Sequence, residues 1–463
     1  MFCKMLKNEL SIKKVIHTSL FLFILLPALL TAGGAHMILD LNGAVENFFR
    51  QAQVPHFLQM HSGNLDREAV DRWSDEHPLV AEHQVAEMLT IDGSSIFLGP
   101  DSFSLAESVM DISFMDQNRE LDFLLNLENQ PADISPGGIG VPLFFMESAG
   151  LEIGDTVQVV QGDYSKRFII EAFVRDALMN PSIIHSKRFV IHSSDYRELK
   201  TNIGTVEYLL EYQLPDQSYI QEFSADFEEA GMPASGPALT YSMFYLMNVV
   251  TEGINITIVL FVSLLFCLVA VLCLRFTILA AMEEDYREIG VMKAIGLPPK
   301  YIRRMYLLKY AVMAAAASAA GSAAAFFLST YFSSSILLYM GESPSGWQNI
   351  VFPALASLVI FFIVTGSCML VLRRIGRISA VQALQSAGTT ADAGNKGFLP
   401  LRKFQGMGVN AVLALQDVIQ RFRMYWLLGF VFFVCSFIVL VPLNFLNTIE
   451  DPSFITYLGI GRS

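Results

Sequence analysis

Five stretches of this sequence carry no charged residue over a length that can cross a lipid bilayer, and no other feature constrains the fold as strongly. They lie within Val15–Leu39, Ile254–Leu274, Tyr310–Leu338, Ile350–Leu372 and Met424–Leu446. A spanning helix needs about 20 apolar residues, and inside hydrocarbon only helices and closed barrels satisfy their own backbone. Composition agrees: hydrophobic residues make up 53% of the chain and charged residues 16%, against about 25% charged in soluble domains. The first stretch follows Lys4, Lys7, Lys13 and Lys14 and runs into small residues at Thr31–Ala35, as a signal peptide would. With four further spans behind it, an uncleaved first helix is the simpler reading.

Charge separates the chain into two environments. Residues 33–250 hold 11 Lys/Arg and 33 Asp/Glu, a net of −22, whereas the remainder is +9. Positive charge in short loops sets orientation. Arg275–Lys309 carries seven basic residues and Arg373–Arg423 eight, whereas Ser333–Asn349 carries none and the tail after Asn447 only Arg462. The expectation is a multi-pass protein of the cell membrane with a cytoplasmic N-terminus and the acidic block outside. All five cysteines fall in spans or on the cytoplasmic side, so the outer block is expected to fold without disulfides. The six histidines from His56 to His192 show no metal-ligand spacing.

Within that block, residues 40–130 read as helix-rich, with an amphipathic pattern over Asp66–Leu89. From Pro131 the pattern turns to strands at Thr156–Val160, Phe168–Val174, Phe189–His192 and Val206–Gln213, between turns such as Gly154-Asp155 and Gly162-Asp163. Tyr219–Ala230 reads as an amphipathic helix returning to the membrane. The expected fold is therefore a membrane protein with an all-α transmembrane region of five helices. A large α+β extracytoplasmic domain is inserted between helices 1 and 2. In the third stretch Ala317, Gly321 and Ala325 form a ridge of small residues, which permits close helix contact either within this chain or with a second copy.

The loop from Met282 to Lys309 is the most informative segment. Ile289, Met292 and Ile295 recur at helical spacing, Gly290 offers a close approach, and Gly296 before Pro298-Pro299 ends the helix. An apolar face on such a loop fits either a docked partner or a helix lying on lipid headgroups. The run Arg287-Glu288-Ile289-Gly290-Val291-Met292-Lys293-Ala294-Ile295-Gly296, followed by Tyr301-Ile302-Arg303-Arg304, resembles the signature of FtsX-like/MacB-type ABC transporter permeases. Gly150–Val157 resembles the turn and strand of that family's external domain. Arg377–Gln385 resembles its second cytoplasmic motif, with Ala380, Gln382 and Gln385 departing from the pattern.

The resemblance implies that Glu288–Ile295 is a coupling helix, with Arg287, Glu288, Ile289, Gly290, Met292, Lys293, Ile295 and Gly296 meeting a nucleotide-binding ATPase subunit. No phosphate-binding loop of the form G-x-x-x-x-G-K-[ST] occurs in the sequence. The chain is thus expected to be a transport subunit and not itself an enzyme, with no cofactor of its own and ATP used by the partner. Its surroundings are membrane lipid, and no nucleic-acid partner is expected. The expected action is export, extraction or resistance involving a hydrophobic or amphipathic substrate. The alternatives are a regulator of an external partner such as a cell-wall hydrolase, and a membrane-anchored sensor without ATPase. The domain boundaries are 1–39 for the N-terminus and first helix, 40–250 for the external domain and 251–385 for the permease core. A flexible linker, 386–407, precedes the start of a second permease unit, 408–463. That unit begins like the first (Leu415-Gln416-Asp417-Val418 against Leu6-Lys7-Asn8-Glu9-Leu10) and stops after one span. A second permease unit or a missing C-terminal half is therefore the further partner expected.

Overall fold

A computed structural model describes residues 14–100, 103–106, 110–180, 184, 186–344, 346–377 and 422–450. The linker 386–407, the repeat starts at Leu6–Lys13 and Leu415–Arg421, and the second motif beyond Arg377 lie outside the described residues. The chain forms two compact units: residues 37–256 with 330–349 make a sheet unit, and the remainder makes a helical unit.

Among the described residues four helices are long and apolar enough to span: α1 (Lys14–Gln51), α6 (Tyr241–Glu284), α8 (Pro299–Phe327) and the helix α11 (Gln348–Leu372), which a tight turn extends to Arg377. At about 1.5 Å per residue, α1 and α6 are roughly 57 and 66 Å long, well beyond the roughly 30 Å of a hydrocarbon core. A fifth helix, α12 (Phe422–Glu450), packs Val434 and Ile438 against Val269 of α6. In the helical unit Pro27 interrupts α1, and its carbonyl accepts from the hydroxyls of Thr31 (2.7 Å) and Ser263 (3.0 Å), a polar tie between α1 and α6. The small-residue ridge of α8 packs inside this chain. A Cβ on Gly321 would sit 2.8 Å from the Leu25 carbonyl oxygen and 2.9 Å from the Ala28 Cβ, and Ala317 and Ala325 are fully buried. Small residues let the backbones of α1 and α8 meet, which is how helices gain contact in lipid.

The third apolar run does not form one span. The helix begins eleven residues earlier than the uncharged stretch, at Pro299, and ends at Phe327. Ser329–Phe332 (α9) and Ser334–Met340 (α10) then form two short helices, and the sheet unit takes them up from Thr330 on. Leu338 and Tyr339 are apolar because they pack on that unit's core, not because they face lipid.

The sheet unit is built on one eleven-stranded sheet. Its strands are β1 (Phe57–Ser62), β2 (Glu82–Ile91), β3 (Ile96–Leu98), β4 (Phe103–Ser104), β5 (Asp111–Asp116), β6 (Gly138–Pro142), β7 (Thr156–Gln161), β8 (Tyr164–Val174), β9 (Ser186–Ile191), β10 (Thr205–Gln213) and β11 (Ala238–Thr240). The order is β11-β1-β10-β2-β5-β9-β6-β8-β7-β3-β4, antiparallel except for β5–β9 and β6–β8. Two helices, α2 (Arg67–Glu76) and α5 (Ile220–Glu229), cover β1, β2 and β10 through Val70, Trp73, Phe223 and Phe227 around Tyr212. Helices α3 (Leu143–Ser148) and α4 (Ser193–Asn202) close the core around Phe114, Phe145, Phe168 and Phe189. The helix-rich expectation for 40–130 is therefore corrected. Only Arg67–Glu76 is helical within Asp66–Leu89, and Glu82–Ile91 is a strand paired over nine residues with β10. Tertiary pairing overrides the helix propensity of its Glu, Gln, Ala, Met and Leu residues.

On the other face of β9, Arg188 lies fully buried between Asp122 and Asp176, donating from Nε to Asp176 Oδ2 at 2.7 Å and from Nη2 to Asp122 Oδ1 at 3.1 Å. Glu211 is a third buried carboxyl; its Oε2 accepts from Gln84 Nε2 at 2.9 Å. Burial, and then the charge of Asp122, raise the Glu211 carboxyl well above the usual range. A carboxyl raised in the folded state adds stability that is complete below its unfolded value and fades as pH rises through the folded one. Glu211→Gln, which cannot ionise, should therefore gain on the wild type as pH climbs above about 5. The check is unfolding against pH in detergent; a difference independent of pH would exclude a raised Glu211 carboxyl. Separately, Gly321→Leu should destabilise the helical unit by about 1–3 kcal/mol through overpacking. Gly366→Leu, with nothing near its Cβ, should leave the melting temperature unchanged.

Candidate functional site

The loop between α6 and α8 folds as α7, Tyr286–Ala294. Its N-terminal turn is fixed by the Tyr306 hydroxyl of α8, which donates to Asp285 Oδ2 at 2.7 Å. Its C-terminus ends in a Schellman turn: Leu297 N–H donates to the Met292 carbonyl and Gly296 N–H to the Lys293 carbonyl, both at 3.1 Å. Gly296 has φ +91 and open space around its Cβ position. Conformation, not crowding, therefore requires glycine there. Pro299 then starts α8, where its missing N–H costs nothing.

The residues predicted as one docking set divide between two faces. Ile289 is fully buried among Leu274, Ile278, Met282, Ile302, Tyr306 and Ile375, and Gly290 is buried beside it. Ile289 was expected to be exposed for a partner; its position toward the helical unit corrects that. It anchors α7 because three neighbouring helices converge on it. Met292 packs partly against the same cluster. Lys293 turns inward and donates from Nζ to the Ile375 carbonyl at 2.7 Å, supplying the cation that the end of a helix favours. Arg287 and Glu288 face out, with Val291, Ile295 (71% exposed), Gly296, Leu297 and Tyr301 (65% exposed). The outward apolar residues thus run past the helix into the following turn. Leu297 and Tyr301 lay outside the predicted set because its 3.6-residue period ends with the helix.

Residues 260–380 match the family model of the FtsX-like permease C-terminal domain. This segment is similar to the C-terminal domain of FtsX-like permeases. It takes in most of α6, all of α7 and α8, and α11. No curated protein matches the chain. Among solved structures, the periplasmic region of MacB from Actinobacillus actinomycetemcomitans is similar over 45% of this chain and 95% of that one. Its identity is 11% and its TM-score 0.24. A domain assigned to a permease protein from Porphyromonas gingivalis is similar over 39% of this chain and 84% of that one, at 9% identity and TM-score 0.24. At these TM-scores the two likenesses carry no argument.

The two isoleucines of the FtsX-like motif should behave differently. Ile289→Asp places a carboxylate in an apolar cluster, a cost of several kcal/mol, and should abolish or sharply lower the yield of folded protein. Ile295→Asp, on the outward face, should leave yield and melting temperature as in the wild type. Equal stability of the two variants, compared by size exclusion and thermal melting in detergent, would contradict this division of faces.

Proposed function

We propose that this chain is the permease subunit of an ABC transporter and that α7 seats in a groove of a separate nucleotide-binding ATPase subunit. The observation that supports the reading is the apolar outward face of Val291 on α7, Ile295 and Leu297 in the turn after it and Tyr301 at the start of α8, with the inner side of α7 locked into the helical unit. The match of residues 260–380 to FtsX-like permeases and the lack of a phosphate-binding loop in the sequence point the same way. In this reading α7 lies in the cytoplasm with the N-terminus, and the sheet unit lies outside. α12 is a fifth crossing, and a second permease unit completes the transporter. The substrate class that suits a helical unit with few polar groups is hydrophobic or amphipathic, since ion-coupled carriers place ionisable groups at mid-membrane.

Seating an isoleucine in such a groove stabilises by roughly 1.5–3 kcal/mol, and a carboxylate in its place reverses the sign. Ile295→Asp should weaken capture of a co-expressed ABC ATPase subunit at least tenfold, a change that needs only about 1.4 kcal/mol. Lys300→Ala, past the proline pair, should have little effect. Equal capture by Ile295→Asp and wild type would mean that α7 lies on lipid, and the coupling assignment would fail.

A further inference from the structure

The six residues after β8, Arg175–Asn180, reach four separate parts of the sheet unit. Arg175, 4% exposed, donates from Nε to the Leu338 carbonyl at 2.8 Å and from Nη2 to the Leu337 carbonyl at 2.9 Å. Its Nη1 donates to the Leu127 carbonyl at 2.9 Å and to the Asn129 side chain. Asn180 Nδ2 donates to the Tyr339 carbonyl at 2.8 Å, and Asn129 Nδ2 to the Met340 carbonyl at 3.4 Å. Four consecutive carbonyls at the end of α10 are thus each met by a side-chain donor. A helix end leaves carbonyls without backbone partners; Leu337 also accepts from Gly341 N–H at 3.1 Å, and for Leu338, Tyr339 and Met340 the side-chain donors fill that role. Between these contacts, Asp176 holds Arg188 on β9, and the Ala177 carbonyl accepts from the buried Asn248 of α6 at 2.9 Å. At its other end, the α10 region touches both long helices. Ser333 donates to Asp40 of α1 at 2.5 Å, and Ser335 to Glu252 of α6 at 2.6 Å.

Among the described residues the Arg175 guanidinium donates to neutral oxygens, and burial, partly offset by the charge of Glu128, lowers its pKa from the ordinary arginine value. A leucine or methionine would fill the same space at less desolvation cost. What an apolar side chain cannot do is read two adjacent carbonyls with a planar fork. A one-residue slip or a rotation of α10 would unpair both. The contact therefore fixes α10 in one register, either engaged or released. Gly341, with φ +85, lies so near Asn129 that any Cβ there would strike its side chain. The fit has no slack.

The chain enters this segment from α8 and leaves it into α11, the third and fourth apolar helices. We propose that α10 is the strut through which displacement of those two helices reaches the sheet, and that Arg175 is the positioning residue that keeps the strut engaged. The proposal rests on the ABC reading above, since it takes ATP as the source of the displacement.

The first experiment uses the full chain in detergent without any partner and follows amide hydrogen exchange. Arg175→Met should raise exchange in 334–340 at least tenfold and leave 205–213 (β10) as in the wild type. Arg175→Lys, which keeps a donor but not the fork, should fall between. Unchanged exchange in 334–340, or an equal rise in both segments, would overturn the strut, the second because Arg175 would then only hold the sheet together. The second experiment adds a co-expressed ABC ATPase subunit and a non-hydrolysable ATP analogue. Nucleotide should alter exchange in β1 and β10 of the wild type. In Arg175→Met, with the subunit still captured, that response should be lost. A response that survives in Arg175→Met overturns the transmission role alone. Failure of the wild type to capture any ATPase subunit overturns the ABC reading, and the transmission proposal with it.

Discussion

The sheet unit depends on one buried cation. Arg188 sits on β9, the middle strand of eleven, and binds Asp122 and Asp176 with both edges of its guanidinium. Asp122 begins a segment whose backbone pairs with the end of α1, through Asp122 N–H to the Gln53 carbonyl and Phe123 N–H to the Ala52 carbonyl. Asp176 belongs to the segment that holds α10 and Asn248. One side chain therefore joins the centre of the sheet to each route by which the chain arrives from the apolar helices. A buried ion pair is not a large net source of stability, but removing one partner costs about 3–5 kcal/mol. Its value here is specificity: only one relative placement of β9, Asp122 and Asp176 satisfies all three charges.

The apolar helices were legible because lipid imposes one rule over some 20 residues at a time, and α1, α6, α11 and α12 fall where uncharged runs fall. The strands from 156 to 213 and the helix at 220–229 were legible too, since β-branched runs between glycine turns specify themselves locally. The strands between 57 and 142 and the extent of the third apolar run were not. Glu82–Ile91 carries residues that favour helix, and only its partner β10, more than a hundred positions away, makes it a strand. The run from Tyr310 to Leu338 is uniformly apolar for two different reasons, lipid before Phe327 and protein core after Ser333. Hydropathy cannot tell those solvents apart.

The loop between α6 and α8 shows the same limit at the scale of single residues. Helical spacing placed Ile289, Met292 and Ile295 on one stripe, and the structure divides that stripe between the interior and the outer surface. Periodicity gives the faces of a helix but not which of them the rest of the chain covers. The clue lay outside α7, in the apolar residues Ile302 and Ile375 that need something to pack against.

The Schellman turn after α7 has a consequence for how any protein can recognise this loop. The amides of Ile295, Gly296, Leu297 and Tyr301 all donate within the loop itself, and Pro298 and Pro299 have none. Backbone pairing of the kind that adds a strand to a sheet is largely closed to a partner at this point. Recognition must then be written in the shapes of side chains, so partners with quite different polar residues can share one apolar socket, while a change in the size of Ile295 or Tyr301 would be felt by all of them.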